Sequence, residues 1–268
     1  MRPQNKFREF VAGSGRSQMS TSMETGHHGG DDGTSVCMAT FNGETYVGRQ
    51  LESILDQLSA DDEVIVVDDC STDGTIEAVR RLNDPRIAVH VNDRNRREVY
   101  SFSRAISLAR HQNIFLSDQD DVWLPEKLAH AASALKQVVE SRPALYFCAR
   151  TLVDSELRPI GPGPALRRPP GFPTALTQNV IPGCCMILNR AAAELIDAAQ
   201  APDRTWHDWW CYLVVSAGGG LVIRGDSPDI LYRQHAGNLV GEPLRFWRRT
   251  VAAMRRGEAV RPLVDPIC

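Results

Sequence analysis

Hydrophobic positions recur with two different spacings along the chain from residue 34 onward. Short apolar runs rich in β-branched residues predict strands, and apolar residues three or four positions apart predict helices. The apolar runs predict strands at residues 35–40, 63–69, 86–91, 113–118 and 144–150. The helical spacings fall between them, at residues 47–58, 76–82, 99–109 and 124–139. Because the strands are apolar throughout and alternate with helices, we expect an α/β fold whose mostly parallel central sheet carries helices on both faces.

Beyond residue 150 the pattern is less regular. Residues 158–173 contain six Pro and three Gly, which predicts a long surface loop rather than a regular element. After it we expect a strand, two helices and two short strands, at residues 186–188, 191–199, 206–216, 221–225 and 229–234. Residues 1–33 are rich in Ser, Gly, His and Asp without a hydrophobic period, which is typical of a flexible tail.

Composition narrows the class of protein. The 268 residues are 43% hydrophobic and 24% charged, as in ordinary soluble globular proteins. The formal net charge of −3 argues against a nucleic-acid-binding protein, which is usually basic. No apolar run is long enough to span a membrane, and the first residues lack the apolar core of a signal peptide, so we expect a cytoplasmic protein. The seven cysteines form no C-x-x-C pair, and we expect reduced thiols, mostly in the core.

Polar residues follow the predicted strands, at the edge of the sheet where α/β proteins bind their ligands. The residues expected at this edge are Thr40, Asp68, Asp69, Asp118, Asp120 and Asp121. Within VVDDCSTDGT, Asp68 and Asp69 end a buried strand, so their carboxylates need hydrogen-bond donors or a ligand. The N–H of a nucleobase or the hydroxyls of a ribose are suitable donors. Turn and helix-cap chemistry accounts for the same residue types and is the alternative interpretation.

A second acidic cluster, SDQDDVW at residues 117–123, places three carboxylates within four positions at a strand end. Carboxylates this close repel each other unless a cation lies between them, and hard oxygen ligands suit Mg²⁺ or Mn²⁺. Such an ion bridges phosphate oxygens and neutralises charge that builds on a diphosphate leaving group. The alternative is an acidic, solvated turn, but the strand before the cluster and the helix after it favour the functional interpretation.

Two motifs in the second half carry further candidates. WHDWW places three of the five Trp around His207 and Asp208. This combination suits a sugar ligand, because aromatic rings stack on the C–H face of a sugar and a carboxylate can accept a proton from a hydroxyl group. A core aromatic cluster with a helix-capping Asp is the alternative. In YRQHAGN, His235 is a candidate metal ligand or diphosphate contact, and Arg233 is a candidate phosphate partner. A structural histidine is the alternative for His235.

Taken in chain order, these segments resemble the family 2 glycosyltransferases, nucleotide-sugar enzymes of the GT-A fold. The matching segments, between residues 35 and 241, are SVCMATFNGETYVGRQLESIL, EVIVVDDCSTDGT, NIFLSDQDDVWLPEKL, NVIPGCCMILNR, WHDWW and LYRQH. FLSDQDDVW, HDWW and YRQH are similar to the rhamnosyltransferase-like branch of that family. The wider family more often has Glu-Asp where this chain has His207-Asp208, whereas this branch uses His-Asp.

The resemblance implies where the donor nucleotide binds. Thr40 and its neighbour Asn42 would line the nucleotide pocket at the end of the first strand. Asp69 would hydrogen-bond the uracil or thymine ring, and Asp68 is a weaker candidate for the same pocket.

The resemblance also implies a set of metal ligands. Asp121 would be the main ligand, and Asp120 would lie near the ribose and the metal. Asp118 is the alternative if the D-x-D register is Asp118-Gln119-Asp120. His235 would reach the metal or the diphosphate from the C-terminal side.

For the sugars, the resemblance implies that Gly183 and Cys184 sit beside the acceptor and the donor sugar. Asp208 corresponds to the catalytic base of the family. It would deprotonate an acceptor hydroxyl while that oxygen attacks the anomeric carbon from the face opposite the diphosphate. A single displacement of this kind inverts the anomeric centre.

The expected organisation has three parts: a tail at 1–33, a glycosyltransferase domain at 34–243 and a basic helical segment at 244–268. Within the domain, residues 34–125 would bind the nucleotide and residues 126–243 the acceptor. Residues 244–261 hold six Arg and one Glu. Residues 244–256 therefore either lie on an anionic membrane surface or pack their apolar side on the core.

The resemblance thus implies an inverting, metal-dependent glycosyltransferase of cell-surface polysaccharide biosynthesis, located in the cytoplasm or at the inner face of the membrane. The donor would be a dTDP- or UDP-sugar, with rhamnose as the first expectation, and the acceptor a glycan or lipid-linked saccharide. A catalytically inactive module that still binds nucleotide sugars is the alternative from another class. A nucleotidyltransferase is disfavoured, because FNGETYVGR lacks the Gly-rich, basic loop that handles a triphosphate.

Overall fold

The structure, a computed structural model, describes residues 33–235 and Asn238. Within this part of the chain nine strands form one sheet. The strands are β1 (Thr34–Thr40), β2 (Glu63–Asp68), β3 (Ile87–Val91), β4 (Asn113–Ser117), β5 (Val122–Trp123), β6 (Ala144–Val153), β7 (Pro159–Pro162), β8 (Met186–Asn189) and β9 (Leu221–Arg233). The helices are α1 (Val47–Leu55), α2 (Thr75–Arg81), α3 (Arg97–Leu108), α4 (Lys127–Leu135), α5 (Phe172–Ala175), α6 (Arg190–Ala199) and α7 (His207–Ala217).

The first half of the sheet is parallel, in the order β3-β2-β1-β4. The register places Thr40 beside Asp68 and Met38 beside Ser117. The carboxyl ends of β1, β2 and β4 therefore meet at one edge, as the order of the apolar runs along the chain predicted. We call this edge the carboxyl edge of the sheet.

The second half of the sheet continues in the order β8-β6-β9-β5, and β7 pairs with β6 outside this path. The pairs β4–β8, β6–β8 and β5–β9 are antiparallel, whereas β6–β9 is parallel. In the β5–β9 pair, Val122 lies beside Leu231. This pairing returns the end of β9 to the segment that follows β4, so both halves of the chain contribute to the carboxyl edge.

The Pro-rich segment 158–173 is more regular than predicted, because it contains β7 and the start of α5. The prediction of a loop without a regular element is therefore wrong. Pro lacks an N–H group and is tolerated in a strand mainly at a sheet edge. In the described residues β7 pairs with β6 alone, and Pro162 lies beside Thr151.

The two short strands predicted at 221–225 and 229–234 are one continuous strand, β9, and this prediction is also corrected. The hydrophobic pattern is interrupted between the two predicted strands, but the pairing with β6 continues on both sides of the interruption. Phe147 lies beside Arg224, whereas Ala149, two residues on, lies beside Pro228. The extra residues of β9 form an irregularity of the kind found at β-bulges, which lets a strand continue past a local interruption.

Apolar side chains of the strands and helices form the core of the described residues. Val36, Ile65 and Phe115 of the parallel strands are almost fully buried, as are Leu51 and Ile54 of α1. These residues belong to one continuous cluster, which accounts for the helical spacing seen in the sequence of α1. The described cysteines are free thiols and all except Cys70 are buried, as the composition predicted.

Two predicted segments lie outside the described residues: the tail, apart from Gly33, and the basic segment 244–268. The division of the chain into a tail, a domain and a terminal segment stays a prediction. Among the described residues, the structure contains no helix with both the length and the apolar character that crossing a bilayer requires.

Candidate active site

Two loops at the carboxyl edge, after β1 and β2, interlock through side chains of the predicted nucleotide pocket. The backbone N–H of Asn42 donates to Ser71 Oγ at 2.9 Å, and Asn42 Oδ1 accepts from the N–H of Thr72 at 2.9 Å. Asn42 has a φ of 48°, a left-handed conformation that Asn adopts more readily than most residues. The structure therefore places Asn42 at the predicted pocket, where it ties the two loops together.

Asp68 is fully buried at the end of β2. Its Oδ2 atom accepts hydrogen bonds from Thr40 Oγ1 at 2.8 Å and Ser71 Oγ at 2.6 Å, and its Oδ1 atom accepts from the N–H of Ser71 at 2.8 Å. A carboxylate has about four lone-pair positions, so protein groups use most of the accepting capacity of Asp68. The contacts of Thr40 and Asp68 thus join the ends of β1 and β2 to the loop that contains Ser71.

Asp69 is 3% exposed and holds the beginning of α3. Its Oδ1 atom accepts from Asn92 Nδ2 and from the N–H of Arg96, each at 2.8 Å, and its Oδ2 atom accepts from the N–H of Arg97 at 2.8 Å. A carboxylate near a helix N-terminus satisfies free N–H groups and interacts favourably with the helix dipole. These N–H groups are therefore the hydrogen-bond donors that the carboxylate of Asp69 needs at a buried strand end.

Residues 118–121, which follow β4, form the acidic motif. This motif is attached to the loop after β1 through Gln119, the middle residue of Asp118-Gln119-Asp120. Gln119 Oε1 accepts from the N–H of Phe41 at 2.9 Å, and Gln119 Nε2 donates to the carbonyl of Phe41 at 3.0 Å. This double contact fixes the backbone between Asp118 and Asp120. No role for Gln119 is predictable from the sequence, because only the tertiary fold brings Phe41 beside it.

Asp120 and His235 form a pair at the accessible side of this motif. Asp120 Oδ2 lies 2.8 Å from His235 Nε2, and the two side chains are 15% and 16% exposed. The ring of Tyr46 packs on His235, with 4.7 Å between the ring centroids. The structure therefore brings together two of the three predicted metal ligands.

Asp121, the third of these ligands, is fully buried. Its Oδ1 atom accepts from the N–H of Arg233 at 2.9 Å, whereas its Oδ2 atom is buried without a hydrogen-bond partner. Burial, assisted by the charge of Asp120, raises the pKa of Asp121 to about 7. Arg233 donates to the carbonyls of Asp120 and Ser155, each at 2.6 Å, and so holds the motif in place, whereas its role as a phosphate partner stays a prediction.

Asp118 is half-buried and lies beside the buried side chains of Asp121 and Cys184. One potential ligand atom from each of these three residues lies within 4.8 Å of the others. Burial and then the charge of Asp121 raise the pKa of Asp118 well above its usual value. The charge of Asp208, from the other half of the chain, contributes to the same rise. Among the candidate metal ligands, Asp118, Asp120 and His235 are thus partly exposed, whereas Asp121 is buried.

Residues Gly183–Cys185 form a short 3-10 turn between these carboxylates and α7. The carbonyl of Cys184 accepts from Lys127 Nζ at 2.7 Å, and the Cys184 side chain is fully buried. Gly183 faces His207 closely enough that a Cβ atom on Gly183 would overlap Nε2 of His207. The turn therefore contacts both the acidic motif and the helix that carries Asp208.

Asp208 lies in the first turn of α7, where the helix dipole favours a carboxylate. Its Oδ1 atom accepts from the N–H of Trp209 at 2.7 Å. His207 stacks on Phe102 at 3.9 Å between ring centroids, and burial lowers the pKa of His207. Trp206, just before the helix, is 43% exposed and is available to a ligand that approaches Asp208.

Lys127 is a buried residue beside the acidic motif that the sequence pattern does not single out. It is fully buried as the first residue of α4, and its Nζ atom reaches the turn that contains Cys184. A cation is unfavourable at a helix N-terminus, so a lysine at that position is a sequence signal for a specific tertiary partner. The signal is weak, because lysine is a common surface residue.

Comparison with known proteins identifies relatives of this chain. The model of the family "Glycosyl transferase family 2" matches residues 35–195. The dTDP-rhamnosyl transferase RfbG of Shigella flexneri is 27% identical over 230 residues, which are 78% of this chain and 75% of that protein.

Two solved structures are similar in fold. S. aureus TarS 1-349 in complex with UDP-GlcNAc has a TM-score of 0.60 at 20% identity over 85% of this chain and 68% of that chain. The mannosyltransferase PcManGT from Pyrobaculum calidifontis, in complex with GDP-Man and Mn²⁺, has a TM-score of 0.57 at 19% identity over 85% of this chain. The chain spans 65% of PcManGT, and 60% of TarS 1-349 in the crystal structure without the sugar nucleotide. These similarities confirm the predicted α/β fold of the GT-A type.

The family model covers more than half of the chain, and the similarity to RfbG agrees with the expected resemblance to rhamnosyltransferases. The chain therefore belongs to glycosyl transferase family 2.

Proposed function

We propose that this chain transfers a sugar from a nucleoside-diphosphate donor to a hydroxyl group of an acceptor, with inversion at the anomeric carbon. One observation carries the proposal. The Gly183–Cys185 turn links the acidic motif to the candidate base, because the thiol of Cys184 lies within 4.8 Å of a carboxylate oxygen of Asp118, just after β4, and Gly183 contacts His207, the residue before Asp208. In open α/β sheets the carboxyl ends of strands are where ligands bind, and acceptor activation requires a base beside that site.

Asp120 and His235 are the residues that we propose to hold a divalent cation. Asp120 Oδ2 and His235 Nε2 are adjacent and both side chains are partly exposed, and a carboxylate ligand suits Mg²⁺ or Mn²⁺. Asp121 has an unpartnered buried Oδ2 atom, which fits the role of main ligand that the resemblance implies, but it lacks solvent access. A bound divalent ion neutralises charge on a diphosphate leaving group.

Asp208 is the base in this proposal. As the acceptor oxygen attacks the anomeric carbon, Asp208 accepts the hydroxyl proton, and the bond from that carbon to the diphosphate breaks on the opposite face. Trp206 supplies an exposed ring on which the C–H face of a sugar stacks. Gly183 and Cys184, between Asp208 and the acidic motif, border the space where the donor sugar and acceptor meet.

The donor is a dTDP- or UDP-sugar in this proposal, with rhamnose preferred because the Shigella relative is a dTDP-rhamnosyl transferase. Thr40, Asn42, Asp68 and Asp69 shape the nucleotide pocket. The acceptor is a glycan or lipid-linked saccharide of cell-surface polysaccharide biosynthesis. Peripheral contact with the inner face of the membrane through residues 244–256 is part of the proposal, and these residues lie outside the described structure.

The first test is a thermal-shift panel of dTDP, UDP and GDP, each with Mn²⁺, Mg²⁺ or EDTA. A ligand that binds only the folded state raises the melting temperature by mass action. We expect a metal-dependent shift for dTDP or UDP. The absence of a shift with every nucleotide would contradict the donor assignment.

The second test separates catalysis from binding, using sugar transfer to a saccharide acceptor. Asp208→Asn should abolish transfer while nucleotide binding stays unchanged, and Asp226→Asn, at an exposed carboxylate on β9, is the matched control. Equal loss of binding and transfer would assign a structural role to Asp208. Nucleotide binding by the wild type without any turnover would favour the inactive-module alternative.

A further inference from the structure

Lys127 is the fully buried lysine of α4, and its surroundings are specific. Its Nζ atom donates to the carbonyl of Cys184 at 2.7 Å and lies 3.8 Å from Cys148 Sγ. It also lies 4.8 Å from the centroid of the Trp123 ring, within the range of a cation–π interaction. A buried ammonium group is unfavourable unless such partners replace its water.

The ammonium group of Lys127 interacts with the side chains of Cys148, Cys185, Cys184 and Asp121. Burial lowers the pKa of Lys127, but the neighbouring thiols and the carboxylate of Asp121 raise it more strongly, so the net pKa lies above the usual value. The amine is therefore charged at neutral pH. The same charge lowers the pKa of Asp121, although burial outweighs this effect.

The carbonyl that Lys127 binds belongs to the Gly183–Cys185 turn, which is in contact with both parts of the site. On one side, the thiol of Cys184 lies within 4.8 Å of a carboxylate oxygen of Asp118. On the other side, Gly183 is in close contact with the ring of His207, the residue before Asp208. Displacement of this turn therefore changes the distance between the acidic motif and the proposed base.

We propose that Lys127 is a positioning residue that fixes the Gly183–Cys185 turn between the donor-binding carboxylates and Asp208. The proposal rests on the proposed function, because it assigns the turn to the border of the donor sugar and acceptor. Lys127 acts through the backbone of Cys184 and does not itself contact the reacting atoms. Its loss is expected to impair the alignment of donor sugar and acceptor while leaving the nucleotide pocket after β1 and β2 in place.

The test compares Lys127→Met, which keeps the length of the side chain but removes its charge and donors, with Lys136→Met. Lys136 is exposed at the end of the same helix, so it is a matched control. We expect kcat to fall about 100-fold in Lys127→Met, the effect of a misplacement of about 1 Å. The Kd of dTDP or UDP with Mn²⁺ should change less than threefold, and Lys136→Met should resemble the wild type.

Hydrogen–deuterium exchange supplies a readout that is independent of activity. Amides of residues 183–189 should exchange faster in Lys127→Met than in the wild type, whereas amides of β2, which pairs with β1 and β3, should be unchanged. This comparison tests the positioning role even if the wild type neither binds a nucleotide nor transfers a sugar, an outcome that would contradict only the proposed function. Unchanged exchange at 183–189 overturns the positioning role.

Lys127→Gln, which keeps a donor for the carbonyl of Cys184 without the charge, replaces Lys127→Met if the methionine variant does not fold. A folded variant with the kcat of Lys136→Met, or with parallel losses of kcat and nucleotide affinity, overturns the proposal. Failure of both variants to fold would assign Lys127 to the stability of the core and would likewise overturn it.

Discussion

His235 Nε2 lies 2.8 Å from Asp120 Oδ2, although 115 positions separate the two residues in the chain. The pairing of β9 with β5 and the hydrogen bond from the N–H of Arg233 to Asp121 bring them together. The two side chains are more accessible than their buried neighbour Asp121. The fold thus brings an imidazole and a carboxylate together at the carboxyl edge of the sheet.

This pair leads to a prediction about metal binding. His235→Asn and Asp120→Asn should each weaken Mn²⁺ binding by roughly tenfold or more, because even changes in groups that only orient a metal ligand cost 10- to 100-fold. Titration calorimetry with Mn²⁺ and UDP measures the effect. His130→Asn is the matched control, since His130 also pairs with a carboxylate, Asp229, at 2.8 Å. Equal Mn²⁺ affinity in His235→Asn and His130→Asn would contradict the assignment.

The raised pKa of Asp121, about 7, predicts how stability depends on pH. Folded protein retains the Asp121 proton at pH values where the unfolded chain has lost it, so this residue lowers the free energy of unfolding as pH rises from about 4 to 7. Asp121→Asn removes the effect. The free energy of unfolding of Asp121→Asn minus that of the metal-free wild type should therefore increase across that range, by up to about 4 kcal/mol.

Urea denaturation of metal-free protein at several pH values between 4 and 8 measures this difference. Asp226→Asn, which replaces a carboxylate that is 90% exposed, is the control and should show a nearly constant difference from the wild type. A constant difference for Asp121→Asn as well would show that Asp121 does not titrate in this range.

The close approach of Gly183 to His207 predicts that Gly183→Ala is harmful. The added Cβ would overlap Nε2 of His207, so the ring must move from its stacked position on Phe102. We expect a loss of stability of about 1–3 kcal/mol, as for other overpacked core positions, and reduced sugar transfer.

Gly48→Ala is the matched control, because a Cβ on Gly48 of α1 meets no atom within 4 Å. This change should stabilise the protein by up to about 1 kcal/mol, since Ala favours a helix over Gly. Urea denaturation of both variants gives the comparison, and similar effects of the two substitutions would argue against the contact with His207.

The role of Asp69 as an anchor of α3 gives a further prediction. Asp69→Asn removes the negative charge of the carboxylate that accepts hydrogen bonds from the N–H groups of Arg96 and Arg97. The free energy of unfolding should therefore fall by about 1–3 kcal/mol. Asp93→Asn, at an exposed neighbour that also pairs with Arg96, should have little effect. If Asp69 binds the base without anchoring the helix, Asp69→Asn will weaken dTDP or UDP binding but leave the urea midpoint unchanged.

The position of the candidate site follows largely from the sequence. Apolar runs ending in Asp68-Asp69 and in Asp118-Gln119-Asp120 suffice to place these residues at one edge, because parallel strands share the direction of their carboxyl ends. The irregular stretches were harder to predict. Strand β9 and the Pro-rich β7 depend on pairing with β6, and such pairing leaves no periodic signal where bulges and prolines interrupt it.

The sequence by itself determined the alternation of elements, the buried strands and the identity of the acidic motif, because these depend on the spacing of neighbouring residues. Only the tertiary structure decided which carboxylates remain accessible, that His235 pairs with Asp120, and that Lys127 reaches the carbonyl of Cys184. These contacts join residues far apart in the chain. The distances between these residues depend on how the sheet and the helices pack, and the spacing of residues along the chain does not predict that packing.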